Sequence, residues 1–244
     1  MHSRLDTVVI PNAGRSGPLP GETGQGATLL GLAMDEAAQA GARRIVVVGD
    51  GRIPSVRNRS EVVAVPQVCR HGLGGALLAA RPHVGAGPVG VILPDELILG
   101  GTCLGEMTTA YRRAGAGHMV GIAEVPPADT ARYGIVDPLD TVDTEPMARL
   151  IGIVEKPPRG AAPSRLAVVG RYLLHARIFD DLKALGSKDP LCLTEGIAAG
   201  LGRVGLIGFA VTAQRFDCSR PTHLMAAIAA MTAPQRRPRA IAAE

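Results

Sequence analysis

The chain has no tryptophan among its 244 residues, and aromatic side chains make up only 2% of it. So few rings leave no platform on which successive bases could stack, which argues against a single-strand nucleic-acid binder. The core must then be built from Ala, Val, Leu and Ile. Cysteine is nearly as scarce: Cys69, Cys103, Cys192 and Cys218 are scattered, with no Cys-x-x-Cys and no short spacing to histidine. They read as free thiols in a reducing compartment rather than as a zinc site or a disulfide framework. No apolar run approaches the length of a membrane span, and the N-terminus lacks a basic segment followed by an apolar one, so a cytoplasmic protein with no membrane partner is expected. Lysine occurs only at Lys156, Lys183 and Lys188, against twenty-three arginines. The net charge of +4 is diffuse and partly placed in Arg236-Arg237-Pro-Arg239, so nucleic acid is not implied.

What the chain does have is length and apolar content, 46% hydrophobic, enough to bury a full core. Strands are expected at Thr7 to Pro11, Arg44 to Val48, Glu61 to Val65 and around Val89, with helices between them from about Ala27 to Ala40 and from Gly72 to Ala80. That alternation predicts an α/β fold with a doubly wound, mostly parallel, Rossmann-like sheet. A helix near Gly105 to Ala114 and a strand near Met119 to Val125 follow, and Pro126-Pro127 then interrupts the pattern. Strand-like pieces at Tyr133 to Val136, Leu150 to Glu155 and Leu166 to Leu174 predict antiparallel pairings beside the parallel sheet. Helices at Ile178 to Ala184 and Thr194 to Leu201, a strand at Val204 to Val211 and a helix at Pro221 to Met231 complete one domain over residues 1–232, with 233–244 as a flexible tail.

Pro88-Val-Gly-Val-Ile-Leu-Pro-Asp95 is the stretch around which the rest is organised. It is apolar without alternation, as in a strand covered on both faces, and it ends in a carboxylate. Ligands of open α/β sheets sit beyond the carboxyl ends of strands, where Asp95 could serve a phosphate-bound Mg²⁺; an ordinary strand-ending turn is the competing explanation. Asn12-Ala-Gly14 opens a loop rich in turn formers, neither a dinucleotide fingerprint nor a P-loop. Glu155-Lys156-Pro157 sets an anion and a rare lysine side by side at a strand end, suited to a phosphate or simply a surface pair. Gly170 lies inside a strand, where either a bulge or a close ligand would explain it. Asp217 lies between a strand and a helix, placed for a second metal carboxylate or for capping. The histidines are dispersed and no chemistry is assigned to them.

Taken in order, Ile10-Pro-Asn-Ala-Gly14, Gln67 ahead of Gly72-Leu-Gly74, Ile92-Leu-Pro-Asp95, Tyr133-Gly-Ile-Val136, Val154-Glu-Lys-Pro157, Val169-Gly-Arg-Tyr172, Leu193-Thr-Glu195 and Phe216-Asp-Cys218 resemble bacterial UTP–glucose-1-phosphate uridylyltransferases over nearly the whole chain. The resemblance implies a nucleotidyltransferase or glycosyltransferase-A-like fold, with a nucleotide side over about 1–125 and a sugar side, the antiparallel subdomain, over about 126–232. It implies that Ala13, Gly14, Gln67 and Gly72 bind the uridine, that Asp95 and Asp217 hold Mg²⁺, and that Gly134, Glu155, Gly170 and Arg171 line the glucose pocket. Lys156 would neutralise the sugar phosphate and count with Asp95 and Asp217 as catalytic. Nucleotide sugar and sugar 1-phosphate would be the ligands, and a homo-oligomer is expected.

The sequence departs from the family in one place. Members follow Ala-Gly with a longer loop carrying Gly-Thr-Arg and then a lysine that holds the triphosphate. Here Arg15 to Thr23 is shorter and no lysine precedes Lys156. Loss of such cations typically slows transfer by about a thousandfold. A catalytically impaired paralogue that binds nucleotide sugar as a regulatory or structural subunit is therefore the alternative.

Overall fold

Along Thr7–Asn12 (β1), Val8 and Ile10 project into one apolar cluster and Val9 into another, so the strand is buried from both sides. The rest of the sheet is built outward from it. The computed structural model describes residues 5–12, 19, 28–50, 53–54, 60–67, 72–115, 117–139, 146–186 and 188–233. In chain order the further elements are α1 (Leu29–Gln39), β2 (Arg44–Gly49), β3 (Glu61–Val65), α2 (Gly72–Ala80), β4 (Val89–Ile92), β5 (Glu96–Leu99), α3 (Cys103–Ala114) and β6 (His118–Glu124). Then come β7 (Gly134–Pro138), β8 (Met147–Glu155), β9 (Leu166–Leu174), α4 (Ile178–Ala184), α5 (Leu193–Val204), β10 (Leu206–Ala210), β11 (Gln214–Asp217) and α6 (Pro221–Thr232). The first helix begins at Leu29 rather than Ala27 because the Thr28 hydroxyl caps it, accepting from the Gly31 N–H at 2.9 Å.

One nine-stranded sheet runs β3-β2-β1-β4-β9-β6-β10-β8-β7. Helices α1 and α3 cover one face through Leu30, Met34, Leu104 and Met107, and α2, α4 and α5 cover the other through Leu77, Phe179, Leu182 and Ile197. The expected α/β class and the helices on both faces are present. The expectation of a mostly parallel sheet with the antiparallel strands set beside it needs correcting. Pairing is parallel across β3-β2-β1-β4 and between β6 and β10, but β9 runs antiparallel between β4 and β6, and β8 antiparallel between β10 and β7. The sheet is mixed, and its antiparallel part is continuous with the parallel part. The reason lies in β9, which is buried from Ala167 to Leu174 and so needs neighbours and cover on every side. β11 and β5 form a separate antiparallel ribbon under α6. Both strands were missed because they pair only with each other, far apart in the chain, and not with the main sheet. Among the described residues no helix is long and apolar enough to cross a membrane. The tail beyond Ala233 lies outside the described residues.

His118, at the start of β6, is fully buried. Its Nδ1 accepts from the His175 N–H at 3.3 Å, while its Nε2 and the Asp181 Oδ2 have no hydrogen-bond partner among the described residues. Burial, helped by His175 and opposed by Asp181, lowers the His118 pKa to about 4. An unfolded histidine, at about 6.5, takes up a proton that the folded one refuses. The stability contributed by neutral His118 is therefore complete above the unfolded pKa and is lost as pH falls toward the folded one. Urea unfolding should show a loss of about 2 kcal/mol between pH 7 and pH 5, and His118→Gln should lose less over the same interval. Equal losses in the two proteins would assign the acid sensitivity elsewhere.

Candidate functional site

Two separate parts of the chain meet at the carboxyl end of β4. The turn Leu93-Pro-Asp95 leads into β5, β11 lies along β5 with Asp217 opposite Glu96, and the Cys218 N–H donates to the Asp95 carbonyl at 2.7 Å. The Asp95 and Asp217 backbones are thereby fastened to each other. Asp217 is 5% exposed. Its Oδ1 accepts from the Ser219 N–H at 3.1 Å and from the Ser219 hydroxyl, and its Oδ2 accepts from the Tyr133 hydroxyl at 2.7 Å. The Arg132 guanidinium stands 3.5 Å from Oδ2. Burial pushes this carboxyl up, but the donors from Ser219 and Tyr133 and the Arg132 charge outweigh burial and hold it below the usual carboxylate range.

Glu96 is also buried, and Arg215 grips it with both arms at 2.7 and 2.8 Å while stacking over the Tyr133 ring at 4.7 Å. For Glu96 burial wins: its carboxyl is raised despite Arg215, with the Asp217 and Asp95 charges adding to the rise.

The β7–β8 register sets Gly134 opposite Glu155. Glu155 Oε2 accepts from the Thr194 hydroxyl at 2.7 Å, and Oε1 lies 3.7 Å from Lys156 Nζ. Lys156 has φ 43°, the only non-glycine in the left-handed region among the described residues, and its N–H donates to the Tyr133 carbonyl at 3.0 Å. Strained backbone of this kind concentrates at functional sites. Tyr133 thus touches both halves, Asp217 through its hydroxyl and Lys156 through its carbonyl. Tyr172 lies between them: burial, and then the Glu155, Glu96, Cys192 and Asp95 charges, drive its phenol far up, so it stays protonated. A Cβ on Gly134 would stand 3.4 Å from both Glu155 Oε2 and Thr194 Oγ1, filling the space in front of that carboxylate.

The other candidates divide. Gly170 has φ +68°, and a Cβ there would come within 2.9 Å of the Glu96 side chain, so packing within the chain already requires glycine. The register of β6 on β9 shifts beside it, which is the bulge. Arg171 is engaged within the chain. It is 2% exposed, its Nε and Nη2 donate to Glu36 at 2.7 to 3.1 Å, and its Nη1 donates to the Glu96 carbonyl at 2.7 Å. Its side chain turns to the α1 and α3 face, whereas Tyr172 beside it turns to the other. Gly72 has φ +63° and would clash through a Cβ with the Leu191 carbonyl at 2.8 Å, so helix packing again asks for glycine. Gln67 Nε2 lies 3.4 Å from the Gly72 carbonyl, which brings these two together. Ala13, Gly14 and, apart from Leu19, the loop Arg15 to Thr23 lie outside the described residues.

Several participants were not anticipated. Tyr133 appeared only as part of a motif, and Arg132, Arg215, Glu96 and Thr194 were given no role. One usable signal was Glu36, which falls between the buried Ala33 and Ala37 of α1 and so placed a charge on an apolar face.

As to a metal, no group of three or more His, Cys, Asp or Glu side chains among the described residues is arranged to hold one. Mg²⁺ commonly takes one or two carboxylates and completes its shell with water and phosphate oxygens, so Asp95 and Asp217 fit in kind. Because Ser219 and Tyr133 already occupy Asp217, a cation there would displace the longest contact, that of Arg132. Burial pushes the Cys103 thiol up to about 12 and that of Cys218 to about 11, which leaves neither as a nucleophile at neutral pH.

A nucleotidyl transferase family model matches residues 24–195. A UTP–glucose-1-phosphate uridylyltransferase of Komagataeibacter xylinus is 33% identical over 160 residues, 64% of this chain and 55% of that protein. One of Mycoplasma pneumoniae is 34% identical over 148 residues, 59% of this chain and 50% of that protein. The chain therefore spans about half the length of the curated relatives it matches. Among solved structures, a UDP-glucose pyrophosphorylase complexed with UDP-glucose superposes with a TM-score of 0.80 at 25% identity, covering 93% of this chain and 98% of that one. A UTP-bound UGPase from Acinetobacter baumannii gives 0.78 at 28% identity, covering 92% of each chain.

Proposed function

The chain belongs to the nucleotidyl transferase family, and on that premise we propose that it transfers a uridylyl group from UTP to glucose 1-phosphate, forming UDP-glucose and pyrophosphate. The observation that carries this reading is that Tyr133 joins Asp217, whose strand end is tied to the Asp95 carbonyl through Cys218, to Lys156 and its neighbour Glu155. The names and ligands of the relatives support it.

A phosphate oxygen of glucose 1-phosphate attacks the α-phosphorus of UTP. The new P–O bond forms as the bond to the bridging oxygen breaks, and pyrophosphate leaves with that electron pair. The attacking oxygen is already ionised, so no general base is needed, and positioning with charge neutralisation does the work. Lys156 Nζ pairs with the sugar phosphate. Glu155 accepts from sugar hydroxyls through the lone pairs that Thr194 leaves open, and Gly134 leaves them room. Asp95 and Asp217 would hold Mg²⁺, which when bound draws charge from the phosphate oxygens. Gln67 and Gly72, with Ala13 and Gly14, serve the uridine. On this reading β3-β2-β1-β4 is the Rossmann-like nucleotide half, and the sugar half begins near residue 126. We place the protein in the cytoplasm, where thiols such as Cys103, Cys192 and Cys218 stay free, as a homo-oligomer that sedimentation would detect.

Pyrophosphate release from UTP and glucose 1-phosphate with Mg²⁺ tests the reaction. Sustained release that needs both substrates is expected; none, from protein that is folded, would overturn it. Gly134→Ala should raise the KM for glucose 1-phosphate by about tenfold or more with little change in the KM for UTP, since one carbon misplaced in a fitted pocket costs that much. Equal rises in both KM values would remove Gly134 from the sugar side.

A further inference from the structure

We propose that Arg132 is a mobile phosphate ligand of this site, exchanging its contact with Asp217 for a phosphate oxygen of the substrate. The inference rests on the transferase reading above and adds to it a residue to which the sequence motifs give no role.

The cations around the cluster differ in how firmly they are held. Arg171 is sealed against Glu36, and Arg215 is 14% exposed, gripped on Glu96 and stacked on Tyr133. Neither can leave without stranding a buried carboxylate. Arg132 is held by a 3.5 Å contact to Asp217 and by the Tyr133 hydroxyl, with no buried carboxylate that depends on it alone, and has 45% of its side chain exposed. A long pair at an exposed guanidinium is weak, so the contact is easily exchanged. Asp217 loses little by the exchange, because Ser219 and Tyr133 continue to donate to it.

Position points the same way. Arg132 ends the 3₁₀ turn Pro127–Arg132 and is followed directly by Tyr133 and Gly134, at the mouth of the cluster. A phosphate carries more negative charge than one carboxylate and matches the planar guanidinium fork. The sequence also has a use for such a residue, since no lysine precedes Lys156. Phosphate could come from UTP or from the sugar phosphate, and the chemistry of recognition is the same for both.

Calorimetric titration of the full chain with UTP, UDP-glucose, glucose 1-phosphate and inorganic pyrophosphate separates the sources. Arg132→Ala should weaken at least one of these by tenfold or more, with thermal melting unchanged and partial recovery in Arg132→Lys. The ligand that suffers identifies the phosphate. Arg132→Gln serves if the alanine variant does not fold. Binding within twofold of wild type for all four ligands would overturn the proposal and leave the transferase reading standing. Absence of binding and turnover in the wild type would overturn both.

Discussion

Asp95→Asn is expected to lower kcat by about a thousandfold or more while leaving Tm within about 2 °C. The amide has the shape of the carboxylate but lacks its charge, so a cation beside the transferring phosphate loses one of its anchors. The backbone of this turn is held by the Cys218 N–H to the Asp95 carbonyl at 2.7 Å, by the Glu96 N–H to the Leu93 carbonyl at 3.2 Å and by the Leu93 N–H to the Gly170 carbonyl at 2.9 Å, bonds that asparagine keeps. Circular dichroism and a thermal melt run beside the kinetics separate the two effects. A variant that keeps activity within tenfold of wild type would take Asp95 out of the chemistry.

Arg171→Met should be the most destabilising of these substitutions, costing about 3 to 5 kcal/mol in urea unfolding. The guanidinium is sealed between α1 and the turn after β4, and Glu36, 11% exposed, would be left without its partner. Glu36 also accepts from the Leu104 N–H at 3.1 Å, so α3 would loosen as well. Replacing both members, Arg171→Met with Glu36→Leu, should recover part of the loss, because an apolar pair of similar volume carries no stranded charge. Folded Arg171→Met protein should keep its KM for glucose 1-phosphate. A stable variant with a raised KM would return Arg171 to the sugar pocket.

The parts of the fold that could be read from the sequence are those with a pattern long enough to be unambiguous. β9 and α2 begin and end where their apolar runs and glycines put them, Leu166–Leu174 and Gly72–Ala80. The place of β9 was not legible, since an apolar run says that a strand is covered and not which neighbours cover it. β5 and β11 were invisible as strands because their pairing is with each other across more than a hundred residues. The candidate site was proposed from the sequence as single residues, Asp95, Glu155, Lys156 and Asp217, and not as an arrangement. Tyr133 shows why: a tyrosine before a glycine has no chemistry of its own, and acquires a role only when folding sets its hydroxyl on Asp217 and its carbonyl on Lys156. For Gly170 the sequence left a bulge or a close ligand open, and the register shift shows the bulge. Arg171 was given a sugar role only by the resemblance, and its contacts are to Glu36 and backbone carbonyls of the chain.

The measurement that bears most directly on uridylyl transfer follows the α-phosphorus of UTP. With UTP labelled at that atom, glucose 1-phosphate and Mg²⁺, the label should appear in UDP-glucose in step with pyrophosphate release, and Lys156→Ala should slow both together. Label that remains in UTP, from protein that still binds UDP-glucose, would contradict transfer at this site and describe a chain that holds the nucleotide sugar without making it.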